Sequence, residues 1–241
     1  MALVAPPPPE VLDLLRLGRI EGSGSPLHGC NANFLIALAR GGRTCRAIYK
    51  PQRGETPLWD FPQGTLYRRE YLAFRVSEAL GWGIVPPTVL RDGPYGIGSV
   101  QLFVDAVDGQ HFFTLLERYR ATMCRIALFD CLINNADRKG GHVLGDTEGR
   151  VWGIDHGLSL LAEPKLRTVM WDLRQEIIQP ELKTDLARIA SDAALRAALE
   201  EHLEPDEVAA LYQRAACIAE SKTIPFARYA DAWRPYPWPP I

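Results

Sequence analysis

The sequence predicts an α+β chain of two lobes, the first β-rich and the second mostly helical. Strand-like runs over 33–38, 45–49, 84–90 and 98–104 all precede residue 105. The helical patterns over 112–133, 169–178, 186–203 and 206–221 all follow it. Between the halves lies 105–109, short, polar and glycine-containing. The expected division is therefore 1–104 and 105–241, with no long linker, so that the lobes pack as one unit. A chain of 241 residues can hold one large domain or two small lobes.

Taken in order, prolines 6–9 read as extended chain. A short helix over 10–18 carries Val11, Leu12, Leu14, Leu15 and Leu17 and stops at Gly18. Gly22-Ser23-Gly24-Ser25 reads as a turn between two strands, and Arg40–Arg43 connects the next pair. The strand over 45–49 leads into Lys50, which alternation places on the face of Ile48 and opposite that of Tyr49. An ammonium ending a half-buried strand is either solvated or paired with an anion. Segment 52–63 has no periodicity. A helix over 65–80 follows, with Leu66, Leu72, Val76 and Leu80 on one face and Gly81 and Gly83 ending it. Glu70, near its start, either meets the helix dipole or reaches an outside cation. Two strand-like runs then flank a Gly/Pro turn at 92–96. The aromatic, proline-rich tail 233–241 is expected to pack onto the second lobe.

Composition narrows the function class. Apolar and charged contents of 47% and 23% are those of an ordinary globular protein. A net charge of −2 gives no electrostatic case for nucleic acid or an anionic membrane surface. No apolar run approaches the ~18 residues a spanning helix needs, and the first ten residues lack the pattern of a signal peptide. Cys30, Cys45, Cys124, Cys131 and Cys217 form no CxxC pair, so a reducing cytoplasm is the simplest setting, with Cys124 and Cys131 as core thiols. His28 and His111 are scattered without metal-ligand spacing. There is no G-x-S-x-G, no H-E-x-x-H and no G-x-x-x-x-G-K-[ST], which removes the corresponding hydrolase and P-loop readings.

The chemistry concentrates in 132–144 and 151–158. An apolar run over 124–133 opens into a loop holding Asn135, Asp137, Arg138, Lys139 and His142. After a hydrophobic hairpin, Asp155 stands between Ile154 and His156-Gly157. Two carboxylates thus each close an apolar segment and open into a glycine-containing turn. Phosphoryl transfer uses such a pair, one to orient the attacking hydroxyl and one to hold the metal on the phosphates. Asp130 reads as a capping or surface carboxylate, and His156 as a turn residue bonding the loop backbone. Arg138 and Lys139 are either solvated or placed to stabilise transferred charge.

Asn135-Ala136-Asp137-Arg138 followed by Gly153-Ile154-Asp155-His156-Gly157 resembles the catalytic loop and metal motif of phosphatidylinositol 3-/4-kinase-like proteins. The likeness is strongest to the type II phosphatidylinositol 4-kinase branch and a small actinobacterial group similar to it. HipA-type kinases share the Asn-x-Asp spacing more distantly. The resemblance implies a two-lobed protein-kinase-like fold, ATP with Mg2+ or Mn2+ as cofactors, and γ-phosphate transfer to an unidentified hydroxyl acceptor. It implies Asp137 as base, Asp155 as metal ligand, and Lys139 beside the base where lipid kinases carry His. Ser23, Gly24 and Ser25 would lie over the phosphates, Lys50 steadied by Glu70 would grip them, and Gln101 and Phe103 would border the adenine. Those kinases carry Asn five residues after the base. This chain has His142, which can bind a metal through a neutral nitrogen but is softer than Mg2+ prefers. Two other classes share the fold: a degenerate nucleotide or partner binder, and an AMP transferase. Without a basic or amphipathic membrane face, a phosphoinositide acceptor is not expected, and the sequence leaves oligomeric state open.

Overall fold

The computed structural model describes residues 8–27, 31–230 and 233–241. Prolines 6 and 7, His28 and Cys30 lie outside them, as does the side chain of Ser23.

Helix α1 (Pro9–Leu17) begins on a proline, whose missing N–H costs nothing in a first turn, and ends at Gly18. Strands β1 (Arg19–Leu27), β2 (Asn33–Arg40) and β3 (Arg43–Pro51) follow. Helix α2 (Leu66–Leu80) comes next, then β4 (Thr88–Gly93) and β5 (Gly96–Leu102). The five strands form one antiparallel sheet in the order β1-β2-β3-β5-β4. Leu14 and Leu15 of α1 pack against it with Ile36, Leu38, Ala47, Tyr49, Val89 and Val100. This half matches the expected β-rich region except at two places. Residues 84–87, which include Pro86 and Pro87, stay outside the ladder that begins at Thr88. Gly22–Ser25 is no turn: it lies inside β1, where the three residues between Glu21 and Ser25 oppose the single residue between Ala37 and Leu35 on β2. Two extra residues make a bulge, and Gly22 and Gly24 supply its positive φ values of 74° and 80°. Strand β1 continues to Leu27 and β2 starts at Asn33.

The second half is helical: α3 (Phe112–Leu115), α4 (Arg120–Ile133), α5 (Pro180–Arg188), α6 (Ala193–His202), α7 (Pro205–Glu220) and α8 (Phe226–Tyr229). Between α4 and α5 lies a two-stranded ribbon, β6 (Val143–Gly145) with β7 (Val151–Gly153). The expected helix over 112–133 is broken after α3. That over 186–203 is split where the Asp192 carboxylate caps α6 by accepting from the Leu195 N–H at 2.8 Å. Segment 169–178 is no helix beyond a single turn at Trp171–Leu173. Its end bonds sideways, with Ile178 N–H donating to Lys222 O and Ile224 N–H to Glu176 O, which removes the helical ladder. One large core runs from α2 through α4 to α7. The tail packs as expected: Pro235 O accepts from Thr168 N and Trp171 Nε1, and Pro240 O accepts from Gly140 N. No helix among the described residues is long and apolar enough to cross a membrane.

Candidate active site

Four elements meet at one point: the end of β3, the second turn of α2, the loop after α4, and the turn after β7. Register fixes the first. Lys50 opposes Ser99 and Ile48 opposes Gln101, so these four side chains share one face of the sheet. On that face the Lys50 ammonium donates to Glu70 Oε1 and, at 2.9 Å, to Asp155 Oδ1. Glu70 is buried, and burial raises its pKa against the lowering effect of Lys50. Its carboxylate also accepts the N–H groups of His156 and Gly157, each at 3.1 Å. Helix α2 therefore holds both the β3 lysine and the backbone after Asp155. Burial pulls the Lys50 pKa down, but the Asp155 and Glu70 carboxylates more than reverse it, and the amine stays charged.

Asp155 sits in the left-handed region at φ 60°, a conformation a non-glycine residue keeps only when its surroundings hold it. Here the Glu70 bonds on the two following N–H groups supply that hold. Its Oδ1 faces Lys50, while its Oδ2 lies 3.3 Å from His142 Nε2. Lys50 drives its pKa well below the ordinary carboxylate range. The carboxylate is still 48% exposed, whereas Lys50 is 17% exposed, so the open side of this cluster is the aspartate.

Asp137 lies across the gap, its N–H donating to the Asn135 side-chain oxygen at 3.0 Å. Burial pushes its pKa up to about 6, with Asp155 adding to the rise and Lys139 opposing it. Lys139 Nζ stands 3.4 Å from Asp137 Oδ2. His142 closes the loop: its Nδ1 contacts the Asp137 carbonyl oxygen at 2.8 Å. A carbonyl only accepts, so Nδ1 carries the proton and Nε2 offers a lone pair. Burial lowers the His142 pKa to about 4, and the ring is neutral near pH 7.

Beneath this loop lies a buried network that the sequence reading missed. Asp130, taken as a surface or capping carboxylate, is fully buried and clasps Arg138 by two bonds of 2.8 and 2.9 Å. It also accepts from the Asn135 amide at 2.9 Å. Arg138 is neither solvated nor free to meet transferred charge. Its Nη1 donates to the carbonyls of His142 and Ile154, and its Nη2 meets His156 Nε2 at 2.7 Å. His156 therefore bonds a guanidinium rather than the loop backbone, and burial keeps its pKa well below the usual value. One arginine thus ties the loop of Asp137 to the turn of Asp155. Asp130 could have been found as the single charge in the otherwise apolar run 126–133. Asn134, also missed, ends α4 at φ 53° and bonds Leu161 O, Glu163 O and Lys165 N, so that 161–165 is pinned beside the loop.

The nucleotide residues expected elsewhere divide differently. Gln101 lies on the Lys50 face, but its amide donates to Thr88 Oγ1 at 2.9 Å in the buried sheet. Phe103 donates its N–H to Arg46 O, and the Arg46 guanidinium covers its ring at 4.4 Å. Gly24 in the β1 bulge presses on β2, where an added Cβ would meet Ile36 at 2.9 Å. Because β1 continues to Leu27, Ser23, Gly24 and Ser25 do not form the tip of a β1–β2 hairpin. Lys50, Glu70, Asp137, Lys139, His142 and Asp155 are the residues brought together.

Among the described residues no three of His, Cys, Asp and Glu converge on a metal site. Asp155 Oδ2 and His142 Nε2, 3.3 Å apart, could both ligate an ion, one completed by water and phosphate oxygens rather than by a protein-built cage.

No protein-family model matches the chain. The Mycobacterium tuberculosis protein Rv2133c is 38% identical over 264 aligned positions, covering 94% of this chain and 92% of the relative. The chain belongs to the family of that protein. Among solved structures, the crystal structure of the Helicobacter pylori proinflammatory kinase CtkA superposes with a TM-score of 0.52 at 13% identity, covering 87% of this chain and 94% of that one. The fold is therefore kinase-like, an antiparallel sheet followed by a helical region.

Proposed function

We propose that this member of the Rv2133c family is an ATP-dependent phosphotransferase of the phosphatidylinositol 3-/4-kinase-like type. The observation that carries the reading is the joint hold on Asp155. Lys50 bonds its carboxylate, Glu70 bonds both Lys50 and the two N–H groups after Asp155, and Asp137 lies close enough to feel its charge. A kinase-like fold supports it, as do the Asn135-x-Asp137-Arg138 and Gly153–Gly157 motifs. In this reading the lobes divide near 104/105, and Lys50 meets the nucleotide phosphates. Asp155 and His142 Nε2 hold Mg2+ or Mn2+, which supplies charge neutralisation at those phosphates.

Asp137 then orients the acceptor hydroxyl. The acceptor oxygen bonds the γ-phosphorus as the bond from that phosphorus to the β–γ bridging oxygen breaks. The hydroxyl proton passes to the Asp137 carboxylate, and ADP leaves. An aspartate lifted to about 6 suits a base working near neutral pH. Lys139, beside that carboxylate, stabilises charge on the moving phosphoryl group. The acceptor is a hydroxyl compound of a small molecule, lipid or protein. A cytoplasmic setting fits the free cysteines among the described residues, Cys45, Cys124, Cys131 and Cys217.

Thermal shift with ATP in EDTA, Mg2+ and Mn2+ tests the nucleotide site: the expected result is a metal-dependent rise that Asp155→Asn abolishes. With γ- and α-labelled ATP, label transfer from the γ position alone is expected, and Asp137→Ala should reduce it about 10²–10⁴-fold. Transfer of the α label would replace the kinase reading with AMP transfer.

A further inference from the structure

We propose that segment 235–241 is a positioning element of the active site, its Pro235 and Pro240 carbonyls clamping the backbone on both sides of Asp137. The inference rests on the kinase reading above. It starts from four consecutive N–H groups. Those of Arg167 and Val169 turn to the catalytic loop, donating to Asn135 O at 3.0 Å and to Arg138 O at 3.1 Å. The Arg138 N–H returns a bond to Arg167 O at 3.0 Å. Those of Leu166 and Thr168 turn the other way, to Tyr229 O at 2.9 Å and to Pro235 O at 3.1 Å. Segment 166–169 is thus a rail bonded along two edges, as extended chain is when its donors alternate. The loop of Asp137 lies on one edge and Pro235 on the other. Trp171 Nε1 adds a second donor to Pro235 O at 3.2 Å.

The far side of Asp137 is held by the same segment. Gly140 is buried and opens the turn Gly140–His142, and the first N–H of a helical turn has no partner inside it. It donates instead to Pro240 O at 2.7 Å. The fit is close, since a Cβ on Gly140 would meet Phe113 at 2.7 Å and Ile241 at 3.4 Å. Between the two bonding carbonyls Pro237 is buried, and the Tyr236 ring lies 6.1 Å from that of Trp171. Prolines at 235, 237, 239 and 240 have no N–H and a restricted backbone. The segment therefore offers carbonyls in a preset shape and loses little freedom on docking. Lys139, just before Gly140, has its Nζ 3.4 Å from Asp137 Oδ2, so the clamp sets where this ammonium meets the base. The nucleotide side is anchored separately. Glu70 holds Lys50, and the His142 carbonyl accepts from Arg138 and from the Ile154 N–H. Releasing the segment should slow transfer and spare ATP binding.

Two full-length variants test this. Pro237→Asp places a carboxylate at the buried point of the segment and lifts it. Glycolic acid incorporated in place of Gly140 makes an ester and deletes the very N–H that Pro240 accepts. In Pro237→Asp the amide proton resonances of Gly140 and Thr168 should move upfield as their bonds are lost. In both variants kcat for release or transfer of the ATP γ-phosphate should fall about 10–100-fold. The ATP concentration giving half-maximal rate should change less than about threefold. A wild-type kcat in the ester variant would overturn the proposal and leave the kinase reading standing. So would a loss of rate matched by an equal loss of ATP affinity, which marks general loosening of the fold, or unmoved Gly140 and Thr168 resonances in Pro237→Asp. Wild type that neither releases nor transfers γ-phosphate with Mg2+ or Mn2+ would overturn both.

Discussion

Two charged clusters lie within one loop of each other and behave in opposite ways. Around Lys50, one ammonium meets two carboxylates, and one of these, Asp155, is 48% exposed. Around Arg138, a fully buried guanidinium meets one fully buried carboxylate, two carbonyls and a histidine nitrogen. The first cluster has an open edge, the exposed carboxylate of Asp155. The second is closed: all five guanidinium N–H groups of Arg138 are taken, and His156 Nδ1 is the buried ring nitrogen left without a partner. A charge network that frames a site and one that borders an open edge can share residue types, so exposure separates them better than charge does.

The largest effect is expected from breaking the closed cluster. Asp130→Ala strands the Arg138 charge and should destabilise the protein by about 3–5 kcal/mol in chemical unfolding. Asp130→Leu combined with Arg138→Met should recover most of that loss, since an apolar pair replaces a buried ion pair at little cost. Lys50→Met attacks the open cluster instead. It should cut phosphoryl transfer by about 10²–10³-fold, the scale of removing one electrostatic donor. It should lower stability less than Asp130→Ala, because Glu70 keeps two backbone donors. A smaller effect comes from pH. Asp137 must be a carboxylate to accept a proton, so kcat/KM should fall about tenfold per unit below pH ~6. A limb near pH 4 would mean that burial does not tune this group. Trp238→Ala, in the exposed tail, should change stability by no more than about 0.5 kcal/mol.

Much of this arrangement was legible before any coordinates. Period-2 and period-3.6 patterns located β2, β3, α2 and α7, because each buries one face against a neighbour. Lys50 and Glu70 could be paired from their order along the chain, and Asp137 and Asp155 from the way each closes an apolar run. What escaped depends on partners far away in sequence. Ile177 and Ile178 look helical until Lys222 and Thr223 arrive beside them to take their backbone bonds. Gly22 and Gly24 suit a turn and a bulge equally well, and only the register against Ala37 and Leu35 decides. Arg138 looked available because a loop arginine usually is, whereas Asp130 and His156 bury it.

The reach of Glu70 to the two N–H groups after Asp155 has a consequence for timing. Those amide hydrogens can trade with deuterium from solvent only after the carboxylate lets go, which requires α2 to withdraw or the turn to open. Their exchange should therefore be slow and should follow the motion of α2. In Glu70→Gln both amides should exchange faster while neighbouring positions in β7 change little. Two backbone hydrogens thus keep a record of how often the Asp155 turn comes loose from the helix that sets it.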